Sequence, residues 1–211
     1  DASNNAINAA NVSFTTADIV APTTTFSPAN SATAVAVASD ITLTFNEAVR
    51  LINNSALDDS NVDALITLKE NNSSGADIAF NATINGGKTV ITINPDSNLS
   101  STQVVYVAIG DTVEDASNNA INAANVSFTT ADVAAPTMAI TSAEVSDGAS
   151  SNDSTLAMTF TSSEATSNFV VGDISVSGGA LSSFNATSTT VYTATFPPSG
   201  DGAKTIDVAG G

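Results

Sequence analysis

Almost every side chain in this sequence that could do chemistry is a carboxylate. Asp and Glu number 21 against four Lys and Arg, and there is no Cys, His or Trp. Lacking Cys, the chain has no thiolate nucleophile, no disulfide and no thiolate metal ligand. Lacking His, it has neither the commonest general base nor the commonest transition-metal ligand. Two chemistries remain open to carboxylates. A pair of acids ~5–9 Å apart can hydrolyse a glycosidic bond, but only Tyr106 and Tyr192 join the Phe residues to stack on a sugar, and no G-x-S-x-G motif occurs. The sequence therefore predicts no enzyme. The second chemistry is cation binding, for which oxygen-only ligands suit Ca²⁺ and its roughly six to eight coordination positions. Candidate ligands are Asp18, Glu47, Asp111, Glu114 and Asp115, with a second set of Asp96, Asp132 and Glu164. The competing reading makes these acids turn-formers and solvated surface charge, with Asp18 closing an Asx turn.

The positioning elements must come from a chain that can fold. A net charge of −17 favours neither nucleic-acid phosphates nor anionic lipid as partners. Disorder, the usual consequence of such acidity, conflicts with 42% hydrophobic residues and a positive mean hydropathy. No apolar run approaches the ~18 residues of a membrane span, so no membrane insertion is expected. Thr and Val favour strands, while Asn, Asp, Gly and Ser supply turns.

An internal repeat sets the frame. Residues 1–18, DASNNAINAANVSFTTAD, recur unchanged at 115–132, and the likeness continues through Pro22 and Pro136 before fading. Val126 and Phe128 alternate with polar residues, so this segment reads as a half-buried closing strand. The Ala-Pro that follows ends pairing and reads as a junction. Residues 1–19 are thus expected to be the last strand and linker of a preceding repeat, 20–132 a complete module, and 133–211 a second module without its final strand. Strands are predicted near 23–27, 40–46, 64–70, 76–84, 88–94, 103–109 and 125–131. In the second module they are predicted near 137–142, 155–161, 173–177, 180–186, 189–196 and 203–208. Short strands separated by turn signals predict an all-β, two-sheet sandwich. Asn85-Gly86-Gly87 is expected to be a hairpin turn, because Asn and Gly tolerate positive φ.

The order of motifs carries a resemblance. Ile41 to Phe45 with Glu47, the loop Asp115-Ala-Ser-Asn-Asn and the closing Phe128-Thr-Thr resemble the bacterial Ig-like modules of S-layer and large-adhesin proteins. In that pattern Asn118 stands where a Gly is usual. Leu156 to Phe160 with Glu164, Phe169 to Val176, Leu181 to Phe184 and Val191 to Pro197 resemble a sister family of adhesin Ig-like repeats. The resemblance implies tandem immunoglobulin-like β-sandwiches, exported to the bacterial cell surface and serving mainly as extenders. In such a sandwich the chain enters at the pole where the loops after the second and sixth strands lie. That places Asp18, Glu47, Asp111, Glu114 and Asp115 together at one joint. Asp132, Glu164 and Asp96 would meet at the next.

The functional expectation is a spacer that holds a distal domain away from the cell, its joints stiffened by Ca²⁺. The alternative is an adhesive module that grips a glycan or protein receptor directly. Expected partners are neighbouring repeats of the same chain, together with head-to-tail self-association in which residues 1–17 of one copy fill the second module of another. The competing outcome leaves residues 1–17 loose or packed on a neighbour's surface. Tyr106 is open to two readings, a tyrosine corner or plain cross-strand packing. Asp58, Asp59 and Asp63 read as a solvated loop. Phe45, Phe80, Phe128, Phe160, Phe184 and Phe196 read as core.

Overall fold

The computed structural model describes residues 2–3 and 9–210; residues 1 and 4–8 of the 1–19 segment lie outside the described residues. The chain divides into two compact units, residues 1–133 and 134–211. In the first, β1 (Thr24–Ser27), β2 (Ile41–Phe45), β6 (Val90–Pro95) and β5 (Phe80–Ile84) form one antiparallel sheet in the order β1-β2-β6-β5. The facing sheet has the order β4 (Ile66–Glu70), β7 (Val104–Ile109), β9 (Ala124–Thr129). A two-residue ribbon, β3 (Arg50–Leu51) with β8 (Val113–Glu114), stands apart from both. Alternation dictates the layering, because successive side chains point to opposite faces of a strand. Ile41, Leu43 and Phe45 of β2 are buried while Thr44 is exposed; Val105, Val107 and Ile109 of β7 are buried while Tyr106 is only half so. The two inward faces meet in one core that Val126 and Phe128 of β9 close. Each fully buried Val, Leu, Ile or Phe contributes about 1.5–3 kcal/mol.

In the second unit, β10 (Met138–Ser142), β11 (Leu156–Ser162), β14 (Val191–Phe196) and β13 (Ser182–Ala186) pair in the order β10-β11-β14-β13. Opposite them lies a single pair, β12 (Ile174–Ser177) and β15 (Thr205–Val208). The rings of Phe160, Phe169, Phe184 and Tyr192 form a chain of contacts with centroids 4.9–6.0 Å apart. Six core residues are buried here against twenty in the first unit, among the described residues, so this core is the less closed of the two.

The all-β expectation is met, with helix among the described residues confined to the 3₁₀ turns Asp63–Leu65 and Val171–Asp173. Each of the thirteen predicted strands has a counterpart; the longest shortfall is at 76–84, where regular pairing starts at Phe80. The ribbon β3–β8 was not anticipated. Between β5 and β6 the turn forms around Asn85, whose side-chain oxygen accepts the N–H groups of Thr89 and Val90, but the residue at positive φ is Lys88 rather than Gly86 or Gly87. Tyr106 packs across the sheet, opposite Lys69 and Ser127. The anchoring hydroxyl belongs instead to Tyr192, which reaches the Thr166 carbonyl at 3.1 Å. Phe80 and Phe184 are half-buried against their cores rather than inside them. Asp58, Asp59 and Asp63 are exposed, yet they do more than face solvent. Asp63 accepts the N–H of Ala82 at 2.6 Å and Asp59 that of Ile84 at 2.8 Å, capping donors along the edge strand β5. An edge whose donors are already satisfied is a poor template for a stray strand.

Candidate metal centre

Three of the predicted ligands come together. Asp18, Glu47 and Asp115 each present a carboxylate oxygen, and the three oxygens lie within 4.8 Å of one another. Asp18 sits on the exposed linker before β1, Glu47 in the turn that leaves β2, and Asp115 directly after β8. Each is placed by its own local chemistry. Asp18 accepts the Val20 N–H at 3.0 Å, an Asx turn that starts the linker, and its carbonyl accepts the Asn119 amide at 3.3 Å. Glu47 follows Asn46, whose side chain accepts the Thr23 N–H and so ties the turn to the chain entering β1. Asp115 is buried and held from three directions: the N–H groups of Ser117 and Asn119 donate to one oxygen, and the Asn119 side chain donates to the other.

The electrostatics follow from these contacts. Burial works to raise the Asp115 pKa. The main-chain and side-chain hydrogen bonds from Asn119, the Ser117 N–H and the positive charge of Arg50 together outweigh it, so the carboxyl is held below its ordinary value. Asp115 is therefore ionised at neutral pH. Two like charges 4.8 Å apart repel by about 1 kcal/mol in water and about 3.5 kcal/mol at an effective dielectric of 20. The exposure of Asp18 puts its interactions nearer the first figure. A divalent cation among the three oxygens would turn this repulsion into attraction. The donor set fits a hard ion, being all oxygen with no nitrogen or sulfur ligand. A carboxylate has about four acceptor positions; Asp115 uses three for its hydrogen bonds and has one left for an ion.

The ribbon beneath the cluster fixes the 115–119 loop. The Arg50 Nε donates to Glu114 Oε1 at 3.2 Å, and its Nη2 donates to the Ala116 carbonyl at 3.3 Å and to Asn118 Oδ1 at 3.1 Å. Asn118 has φ +68°, the left-handed conformation that Gly adopts most readily and Asn next. Asn118 takes this conformation and adds an acceptor for Arg50. Glu114 is buried and committed to this ion pair, so it is not in the three-carboxylate group.

The remaining predicted ligands lie elsewhere. Asp111 is exposed in the turn between β7 and β8, outside the group. Asp96 follows β6 and lines a shallow cleft with Glu70 and Asp77. Asp132 accepts the Ser101 hydroxyl at 2.8 Å, and the same hydroxyl accepts the Val133 N–H at 2.9 Å. Glu164 is half-buried after β11, in the second unit. Among the described residues, the group of three acids within ligating distance is Asp18, Glu47 and Asp115. Sequence reasoning missed Arg50 and the hydrogen-bonding roles of Asn118 and Asn119. The available signal for Arg50 was its rarity, as one of four cationic residues in an acidic chain.

Two clefts in the first unit measure about 210 and 220 Å³, below the roughly 300–1,000 Å³ of small-ligand pockets. Comparison with known proteins gives family matches along nearly the whole chain. Residues 18–130 match one model described as a bacterial Ig-like domain, and residues 132–211 match a second model of the same description. No curated protein matches. Among solved structures, the chain is similar to the N-terminal part of the bacterial S-layer protein SbsC, with 10% identity and a TM-score of 0.34. That match covers 67% of this chain and 41% of the other.

Proposed function

The chain belongs to the bacterial Ig-like domain family, and from that premise we propose that its modules are spacers of a surface-exposed bacterial protein, with the joint ahead of the first module stiffened by Ca²⁺. One observation carries the reading: an acid on the exposed linker, Asp18, is gathered with Glu47 and Asp115 of the module body. An ion held by all three would fix the linker to the module at the point where a preceding repeat would pivot. Asp115 supplies the rigid ligand, oriented by Asn119 and Ser117. Glu47 supplies a second from the β2 turn, and Asp18 closes the set from the linker. Three carboxylates leave about half of the Ca²⁺ coordination positions to water. The expected affinity is that of extracellular modules, Kd on the order of 0.1–1 mM. The alternative of a receptor-binding module gains no support from the two small clefts.

The test is a thermal melt of the 211-residue chain with and without Ca²⁺. At 10 mM Ca²⁺ and a Kd of about 1 mM, binding to the folded state stabilises it by about 1.4 kcal/mol. The first unit's Tm should rise by several degrees, EDTA should reverse the rise, and Asp18→Asn should remove most of it without lowering the metal-free Tm. Equal melting of the wild-type chain in 10 mM Ca²⁺ and in EDTA would refute the cation site.

A further inference from the structure

The sheets of the first unit end on β1 and β5 and on β4 and β9. Outside β9 runs the main chain of residues 31–35: the Val35 N–H donates to the Thr129 carbonyl at 3.2 Å, and the Thr129 N–H to the Ala32 carbonyl at 2.8 Å. Outside β4, the Glu70 N–H donates to the Ala76 carbonyl at 2.9 Å and the Ile78 N–H to the Leu68 carbonyl at 3.0 Å. β1 is four residues long and lies between Pro22 and Pro28, and a short strand bounded by Pro is a poor template for another chain. β5 differs from all three. Among the described residues, no main-chain segment bonds along its outer edge. Its sequence, FNATI, holds no charge, no Gly and no Pro, which is the composition that accepts a stray strand.

Side chains close this edge instead. The Asn85 N–H donates inward to the Val90 carbonyl, so alternation turns the main-chain groups of Asn81 and Thr83 toward β6 and those of Phe80, Ala82 and Ile84 outward. Two of these outward N–H groups end on carboxylates, Ala82 on Asp63 at 2.6 Å and Ile84 on Asp59 at 2.8 Å. The segment that carries the two acids is held firmly. Leu57 and Val62 are buried in the core. The Asn61 side chain accepts the Asp58 N–H and donates to the Ala56 carbonyl, both at 3.0 Å, and the Val62 N–H returns to the Asp58 carbonyl at 3.1 Å. Asp59 falls between the two buried anchors, and Asp63 opens the 3₁₀ turn that lies beside β5.

We propose that residues 57–65 are a built-in plug that keeps β5 closed to a second copy of the chain, and that without the two carboxylates the β5 edges of two copies pair antiparallel about a two-fold axis at Ala82. The partner and register follow from the edge itself. With Ala82 opposite Ala82 of the second copy, Phe80 faces Ile84 and all the outward main-chain groups meet. Asn81 then lies opposite Thr83 on the exposed face of the sheet. An edge that presents the same pattern to itself makes a closed, isologous contact. With the plug in place, a second copy would have to displace both carboxylates and gather four of them at one interface, where like charges repel. The plug thus spends on an edge the residue type this chain holds in excess, 21 acids against four bases. This inference goes beyond the spacer reading and does not depend on the cation site.

The experiment uses disulfide trapping in the 211-residue chain, whose lack of Cys makes engineered thiols direct reporters of pairing. Residues opposite each other in a non-hydrogen-bonded antiparallel pair have Cα atoms about 4.5 Å apart, within disulfide reach. With Asp59→Ala and Asp63→Ala in both chains, an Asn81→Cys chain mixed with a Thr83→Cys chain should cross-link on mild oxidation several-fold faster than the same pair with the acids intact. Asp59→Asn with Asp63→Asn keeps an oxygen acceptor at each position and should leave the edge as closed as in the wild type. An Asn81→Cys chain mixed with a Thr92→Cys chain should not cross-link in any background, because β6 lies one strand further in, about 10 Å at ~4.8 Å per strand. A cooperative melt checks that the Ala variant is folded; if it is not, Asp59→Ala alone, which frees the Ile84 N–H, is measured in its place. Equal cross-linking with and without the acids, cross-linking of the Asn variant at the Ala variant's rate, or cross-linking through Thr92→Cys would each overturn the proposal.

Discussion

Replacing Arg50 with Met should destabilise the first unit by about 2–3 kcal/mol, a figure that follows from what the guanidinium touches. Arg50 donates to Glu114, to the Ala116 carbonyl and to the Asn118 side chain. The Glu114 side chain is 5% exposed and that of Arg50 29%. At 3.2 Å the bare attraction is about 1.3 kcal/mol in water and about 5 kcal/mol at an effective dielectric of 20. Solvent on the Arg50 side screens it toward the lower value. Breaking a fully buried pair costs about 3–5 kcal/mol and an exposed one about 0–1 kcal/mol; this pair lies between. Met keeps most of the apolar stem, so packing contributes little to the loss. For a unit of this size the melting temperature should fall by roughly 10 °C.

The reasoning concerns the pair rather than Arg50 alone, so a double-mutant cycle is the deciding assay. Arg50→Met leaves a buried carboxylate without its partner, and that stranded charge is the main cost. Adding Glu114→Leu removes it, so the double variant should melt well above Arg50→Met and near the wild type. Coupling energies for contacting pairs of this kind run about 0.5–3 kcal/mol. If Arg50→Met melts within about 2 °C of the wild type, or if Glu114→Leu deepens rather than relieves the loss, the account of the ribbon is wrong.

Two further outcomes are expected. Asp63→Ala should lower stability in urea melts by about 1–3 kcal/mol, because the Ala82 N–H on edge strand β5 loses an ionised acceptor; an unchanged midpoint would mean that water satisfies that N–H equally well. The hydrogen bonds from the Ala157 N–H and the Ser142 hydroxyl hold the Glu144 carboxyl below its ordinary value, so its contribution is fully present above the unfolded pKa of about 4.3 and is lost as pH falls through the folded value. The stability gap between the wild type and Glu144→Ala should therefore be constant above about pH 5 and narrow below about pH 4; a gap that stays constant to pH 3 would refute the assignment.

Much of the fold was legible because alternation is a strong signal over five or six residues. ITLTF alternates and reads as a half-buried strand, whereas VVYVAI is a short apolar run whose length and β-branched residues point to a strand; β2 and β7 formed there. The ribbon β3–β8 was illegible for the same reason: two residues have no period, and Arg50 and Glu114 are 64 positions apart. The candidate site divides along that line. Asp18, Glu47 and Asp115 follow from which loops share a pole of a sandwich, which topology decides. Topology also placed Glu114 and Asp111 near that pole, but the direction of each side chain is set locally. The short ribbon turns Glu114 inward to Arg50, while Asp111 remains in solvent.

Residues 9–17 and 123–131 show where such reading must stop. Their sequences are identical, so propensity, alternation and side-chain volume cannot distinguish them. One is the closing strand of a core and the other an exposed segment without strand pairing. The difference lies entirely in what stands beside them. Residues 124–129 have β7 on one side and, at Thr130, a bridge to Val35 on the other, while residues 10–15 have neither. A strand is a relation between two chain segments, and β propensity measures fit to a neighbour more than any preference of the backbone alone. The repeat therefore specifies a strand twice but supplies its acceptor once within the first unit.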